Sequence, residues 1–381
     1  MKFNVPCKAF YAAVSAVSKV INPKNALAIL DNFLIELNGD IITVTGADVD
    51  NALTARVPVT EAEGKGSFCV TARRLVELLK ELPDQGLTVT VTDETYEVEI
   101  EYTGGKYNLT ALRGEEYPVY GTAAGNGGAA DTAPVSFAIN SQVILKALEY
   151  TTFAVGDDDY RPMMKGVYFD IKPDCIVFVA TDTHKLVRYT DRRIQPGVET
   201  SCILPIKPAS IIRNIFSKNS ELQVTMTQKN AVFENDDFTF KCTFLNGRFP
   251  PYNRVIPESS PFRLTVDRIA MLNAVRRVGV FVDPGFGLEK FKITPERLLI
   301  KSDDSNMCTC ARETVPCQFN GPETVIGFSA PFITEFMAIL PTDEVFIDLS
   351  DPSRAGVFQP SENEEGTDLV MLLMPMNVDK F

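Results

Sequence analysis

Ile41-Ile42-Thr43-Val44-Thr45-Gly46-Ala47-Asp48 returns 134 residues later as Cys175-Ile176-Val177-Phe178-Val179-Ala180-Thr181-Asp182. Each stretch reads as a strand running into a turn. At the same offset Phe3, Val5, Phe10 and Val14 reappear as Phe137, Ile139, Ile144 and Leu148, and Val70 as Leu204. A looser third copy begins near Phe262-Arg263-Leu264 and carries Leu298-Leu299-Ile300-Lys301-Ser302-Asp303-Asp304 at the strand-turn position. Self-similarity at a fixed period identifies architecture before any local motif does, and this period is far above the roughly 20–50 residues of a solenoid repeat. The 381 residues therefore read as an array of three domains, at 1–130, 131–260 and 261–381.

Every unit carries the same order of elements. An opening strand (residues 2–5, 136–139 and 261–264) leads into a helix with apolar residues at helical spacing. Pro6 stands near the start of the first helix, where its missing N–H does no harm. Ser141 and Asp267 stand near the starts of the other two, as capping residues would. A hairpin follows: residues 33–37 with 41–45 around Asn38-Gly39, then 167–171 with 176–180, then 289–293 with 298–302. A second helix is expected over 71–82, 206–218 and 330–340, before two closing strands such as 87–92 and 97–102. The glycine- and alanine-rich stretch 121–130 is a connector by composition. The fold class is α+β: three repeated domains, each with two helices on a mostly antiparallel sheet.

A formal net charge of −13 argues against a simple basic nucleic-acid binder. The charge is unevenly spread, however. The six helical windows hold twelve basic residues, among them Lys8, Lys19, Arg73, Arg74, Lys207, Arg276 and Arg277, against five acidic ones. The remainder is strongly acidic. A common helical surface would then be positive and everything else negative. With no base-reading motif, such a surface binds phosphates only, independently of sequence and sensitively to salt.

Three short stretches are more specific. They are Val179-Ala180-Thr181-Asp182-Thr183-His184-Lys185-Leu186, then Leu245-Asn246-Gly247-Arg248-Phe249-Pro250-Pro251-Tyr252-Asn253-Arg254-Val255-Ile256-Pro257, and the tail Leu372-Leu373-Met374-Pro375-Met376. With the three-unit plan, they closely resemble the bacterial DNA polymerase III beta subunit family, the replicative sliding clamps, over the whole chain.

The resemblance implies a head-to-tail homodimeric ring of six similar domains, helices inside and sheet outside, encircling double-stranded DNA as a processivity factor without catalysis. It places the joining ends around Lys106, Tyr107 and Leu109 in the first unit and Val280 and Phe281 in the third. It implies a cleft that docks short peptides of the polymerase III alpha subunit, the clamp loader and other clamp-binding proteins. Carried over by residue, the cleft comprises Met164, Thr181, Thr183, His184, Lys185, Leu186, Pro250, Arg254, Val255, Phe286, Ser329, Phe332, Leu373, Met374, Pro375 and Met376. Thr183 stands where the family commonly has glycine, and Lys185 and Asn377 where it commonly has arginine. For DNA contact the family pattern points to Lys24, Arg73, Arg74 and Lys207.

Other chemistries have little to work with. His184 is the only histidine, so any Ser-His-Asp triad or histidine metal site would have to use it. Asp157-Asp158-Asp159 and Ser302-Asp303-Asp304 read as solvated acidic loops of different units rather than as a carboxylate metal site. No metal or cofactor is expected. The cysteines are scattered, and no apolar run approaches the roughly 18–20 residues that span a bilayer. A cytoplasmic protein with free thiols and no membrane partner is the expectation.

Overall fold

The computed structural model describes residues 1–92, 95–118, 133–216, 219–257, 259–283, 285, 287–304 and 309–378. The connector expected over 121–130 and the last three residues, Asp379-Lys380-Phe381, lie outside them. The described chain forms two compact units, Met1–Leu145 with Lys207–Phe244, and Lys146–Ile206 with Leu245–Phe381.

The first unit is built on a 13-stranded sheet among the described residues. The first repeat supplies two runs of four neighbouring strands. One run comprises Lys2–Pro6, Gly86–Val91, Glu97–Tyr102 and Gly105–Arg113; the other comprises Asn32–Asn38, Ile41–Ala47, Asn51–Pro58 and Gly66–Thr71. The central repeat extends this sheet through Phe238–Thr243, which pairs antiparallel with Asn51–Pro58, Phe240 opposite Leu53. The second unit has a 12-stranded sheet among the described residues. There Lys185–Asp191 of the central repeat pairs antiparallel with Thr367–Leu373 of the third, from Lys185 opposite Leu373 to Asp191 opposite Thr367. Asn51 and Lys185 are 134 residues apart, so both joins use the same strand of the repeat. The rule is simple: the third strand of the hairpin run pairs with the last strand of the next repeat.

Two strands are left over by this rule. Gly105–Thr110, in the last strand of the first repeat, pairs only with the Glu97–Tyr102 strand, because the Gly66–Thr71 strand takes only Ala111 to Arg113. Thr309–Pro316, in the third strand of the third repeat, pairs only with Arg297–Asp304, because the Phe262–Asp267 strand takes only Cys317 to Phe319. Each therefore presents an open edge among the described residues.

The expected helices form at Cys7–Val17 (α1), Ala72–Glu81 (α2), Ser141–Thr151 (α3), Ile206–Ile215 (α4), Arg268–Gly279 (α5) and Ala330–Ile339 (α6). Their buried residues follow the helical period: Cys7, Phe10, Val14 and Val17 in α1, and Ala72, Leu75 and Leu79 in α2. Arg73 and Arg74 are thereby turned to solvent. Asp267 caps α5 as expected, its carboxylate accepting the Ala270 N–H at 2.6 Å. At α3 the cap differs from the sequence reading. Ser141 turns inward, fully buried, and accepts the Ser220 N–H, while the Asn140 side chain accepts the Gln142 N–H at 2.9 Å. The Asn38-Gly39 turn also shifts by one, since Asn38 still pairs with Ile41 and Gly39, at φ +66°, leads the loop. Cys7, Cys69, Cys175, Cys202, Cys242, Cys310 and Cys317 are free thiols.

Candidate functional site

The second unit holds an apolar cavity of about 300 Å³ over the hairpin Cys175–Thr181 and Lys185–Asp191. Its floor is made by strand residues whose side chains the pleat sends to one face, Leu186 and Leu372, both nearly fully buried. One wall is the segment around the short helical turn Tyr252–Arg254. Aromatic packing holds that wall down: Phe249 stacks on Tyr168 at 4.7 Å, and the Tyr252 hydroxyl donates to Asp170 at 2.7 Å. Burial and the adjoining Asp170 carboxylate push the Tyr252 phenol well above its ordinary value, so it remains a donor. The anchored loop then presents Pro250, Arg254 and the exposed Val255 to the cavity.

The opposite wall is the hairpin turn. Thr181, Thr183, His184 and Lys185 line it, with Met164 beside them. His184 stacks against Phe332 of α6, with ring centres 6.5 Å apart. The Lys185 side chain is buried, and its ammonium lies 4.4 Å from the centre of the Phe332 ring and 5.4 Å from that of Phe153. It is neutralised by Glu335 of α6 and by Asp182 at 3.9 Å. A buried cation needs such partners, and here they tie the turn to the helix. The C-terminal segment completes the rim. The Met374 N–H bonds to the His184 carbonyl at 2.8 Å and the Met376 N–H to the Gly327 carbonyl at 2.8 Å.

Of the residues named from sequence, Met164, Thr181, Thr183, His184, Lys185, Leu186, Pro250, Arg254, Val255 and Met374 line this one cavity. Leu373 is buried in the last strand, and Phe332 acts through His184 and Lys185 rather than by lining. Ser329 precedes α6, and Pro375 and Met376 follow the rim. Phe286 lies outside the described residues. Phe249, Pro251, Tyr252, Ala355 and Leu372 also line the cavity and were not named. Three of these stand in the quoted Leu245 to Pro257 motif and Leu372 in the tail motif, so they were within reach. Ala355 belongs to no motif, and only the folded chain brings it there.

The expected DNA-contacting cations are all in the first unit, and they differ in kind. Lys24 and Arg74 are exposed; Arg73 is exposed too and pairs with Glu77 one turn along at 2.9 Å. Lys207 does not present a free charge. Its ammonium donates to the Val20 carbonyl at 2.6 Å, the Asn22 side chain at 2.6 Å and Asp48 at 2.5 Å. All three of its hydrogens are spent inside the unit.

Tyr107 is exposed on the open edge and stacks on Tyr102, Lys106 pairs with Glu99 at 2.5 Å, and Leu109 is half-buried. Val280 and Phe281, just past α5, are exposed apolar residues, Val280 to 78%. The open edge over Thr309–Pro316 was not foreseen, because an edge is a property of the sheet and leaves no mark in the strand itself. Of the two acidic stretches expected as loops, Asp157-Asp158-Asp159 is one, but Ser302-Asp303-Asp304 ends the strand Arg297–Asp304, paired with residues 309–311. Asp157 and Asp159 pair with Lys165, Asp158 with Arg161, and Asp303 with Lys290 and Lys301. Burial pushes the Asp303 carboxyl up, but the hydrogen bonds and charges of Lys290 and Lys301 together outweigh it and hold the group below its usual range.

Three family models match the chain: the N-terminal, central and C-terminal domains of the DNA polymerase III beta subunit, over residues 1–121, 138–251 and 253–377. The beta sliding clamp of Pseudomonas aeruginosa is 23% identical over 97% of this chain and 99% of its own length. That of Treponema pallidum is 24% identical over the whole of both. Among solved structures, the P. aeruginosa sliding clamp bound to griselimycin superposes with a TM-score of 0.92 at 22% identity, covering 99% of this chain and all of that one. The Bacillus subtilis clamp gives 0.89 at 22% identity, covering 99% of each. From end to end, the chain belongs to the DNA polymerase III beta subunit family of sliding clamps.

Proposed function

We propose that two copies of this chain close head to tail into a ring around duplex DNA and tether the replicative polymerase and other proteins to it, without catalysis of their own. The observation that carries this reading is the pairing rule of the sheets. Within the chain, the third hairpin-run strand of one repeat pairs with the last strand of the next, at Asn51–Pro58 with Phe238–Thr243 and at Lys185–Asp191 with Thr367–Leu373. The two positions left open, over Thr309–Pro316 and Gly105–Thr110, are the two that a second copy would fill by the same rule. Such a contact is heterologous, and in a closed pair it leaves neither edge exposed. Val280, Phe281, Tyr107 and Leu109 would add apolar surface to it, and Lys106 a charge.

Lys24, Arg73 and Arg74 would meet phosphates, which suits a ring that slides without reading bases. Lys207 would serve the same surface by fixing the end of α1 and the Asp48 turn. The cleft around Leu186 and Leu372 suits a short peptide with apolar anchors, and its two methionines let it accept several partners. Those partners would be the polymerase III alpha subunit, the clamp loader and other proteins bearing such peptides. Because the P. aeruginosa relative is described bound to griselimycin, the same compound should occupy this cleft. A cytoplasmic place beside the chromosome follows from the role, and among the described residues no helix is long and apolar enough to cross a membrane.

The test is topological. Once loaded, the protein should stay on a closed circular duplex and run off when the circle is cut. Equal retention on circle and line would overturn the ring.

A further inference from the structure

Thr183 has a backbone φ of +81°, a region that suits glycine and strains a β-branched residue. The repeat supplies an internal control for what causes this. Asp48-Val49-Asp50-Asn51 and Asp182-Thr183-His184-Lys185 are the same turn, 134 residues apart. In the first, Asp48 Oδ1 accepts the N–H groups of Asp50 at 2.8 Å and Asn51 at 2.7 Å. In the second, Asp182 Oδ1 accepts those of His184 at 2.9 Å and Lys185 at 2.8 Å. Both turns also close with a bond from the aspartate N–H to the carbonyl three residues on. Yet Val49 is not among the residues with positive φ. Closing the hairpin and capping it with aspartate therefore do not require the strain.

One difference that bears on the Thr183 amide is the residue before the aspartate. Ala47 in the first copy is Thr181 in the second, and the Thr181 hydroxyl accepts the Thr183 N–H at 3.2 Å while donating to the Lys185 carbonyl at 2.8 Å. That bridge ties the Thr183 amide to the Thr181 side chain, an anchor that the first copy, with Ala47, lacks. Thr183 lines the cleft, exposed, and its hydroxyl has no hydrogen-bond partner among the described residues. Strain at a lining position, imposed by a second lining residue, serves placement of that side chain.

We propose that the Thr183 hydroxyl is a fixed hydrogen-bonding group of the cleft: Thr181 holds the residue in a strained conformation so that the hydroxyl bonds the backbone of a docked peptide. This rests on the reading of the cleft as a peptide-docking site. Glycine at the position would relax the turn and leave the cleft without the bond.

The experiment measures two quantities on the full-length protein: the melting midpoint, and affinity for a fluorescein-labelled linear hexapeptide with leucine and phenylalanine anchors, with griselimycin as a competitor. Thr183→Gly should raise the midpoint by about 2–4 °C as strain is released. The same variant should bind the hexapeptide about tenfold more weakly, the worth of one hydrogen bond. Thr183→Val, which keeps the shape and loses the hydroxyl, should weaken binding as much with no gain in the midpoint, and Thr183→Ser should bind within about threefold of the parent. Val49→Gly at the sister turn should lower the midpoint. Hexapeptide binding unchanged in both Thr183→Gly and Thr183→Val overturns the proposal while leaving the cleft reading intact. A parent protein that binds neither probe overturns that reading, and the proposal with it.

Discussion

The ammonium of Lys207, at the start of α4, lies 2.5 Å from the Asp48 carboxylate in the hairpin turn of the first repeat. The same ammonium bonds Val20 and Asn22 beyond the end of α1. One side chain thus joins three segments that are remote in sequence. Asp48 is nearly fully buried, so removing its cation leaves a desolvated carboxylate whose remaining donors, among the described residues, are Asn51 and the turn amides. Lys207→Ala should therefore destabilise the protein by about 1–3 kcal/mol, seen as a lower urea midpoint. A variant with unchanged stability would show that the bond contributes nothing.

Arg74 should behave differently. It is exposed on a helix whose apolar side is already buried, so Arg74→Ala should leave the urea midpoint within about 0.5 kcal/mol of the parent. Its effect should appear in DNA binding instead. The slope of log affinity against log salt should fall by about 0.9 for each phosphate that the variant no longer neutralises. Arg73→Ala should do the same, because its exposed pair with Glu77 holds it only weakly. Lys207→Ala should leave that slope alone. A salt slope that responds to Lys207 and not to Arg74 would reverse these assignments.

The open edges predict the assembly. Leu109→Asp or Phe281→Asp should lower the mass measured by light scattering at micromolar concentration from two chains to one. Circular dichroism should be unchanged, since neither residue is in the buried core of its own unit. A full-length dimer that tolerates both changes would place the interface elsewhere.

Glu289 predicts a pH dependence. It is fully buried in the strand Leu288–Ile293, neither carboxylate oxygen has a hydrogen-bond partner among the described residues, and the last residue of α5, Gly279, lies against it. Burial alone pushes its carboxyl up to about 8. A carboxyl whose folded value is raised is protonated in the folded state and ionised in the unfolded state between the two values. Its stabilising share is complete below about pH 4.5 and is lost as pH climbs toward 8. Glu289→Met should remove that loss, so that the variant exceeds the parent at pH 8 by roughly 2–5 kcal/mol and by much less at pH 5. Equal pH profiles for the two proteins would mean that the carboxyl finds a partner in solution.

Much of this protein was legible in its sequence because its architecture is repetitive. The period of 134 residues, the helical spacing of Phe10, Val14 and Val17, and the Asp48 and Asp182 turns are local patterns, set by the pitch of a helix and the alternation of a strand. They specify elements and their order. The motif around His184 likewise marked residues that line one cavity together, because neighbours in a hairpin turn remain neighbours in space. What local patterns do not carry is partnership across the fold. That Ala355 lines the cleft depends on how distant segments pack. So does the burial of Lys185 beneath Phe332, and so does the commitment of Lys207 to Asp48 rather than to a phosphate. The strand edges left unpaired are likewise a property of the whole sheet. The positive φ at Thr183 belongs with these, because Val49 in the sister turn does not share it although the two turns carry the same aspartate cap. Sequence decided which pieces exist. Only the folded chain decided which charges are spent within it and which are left to meet a partner.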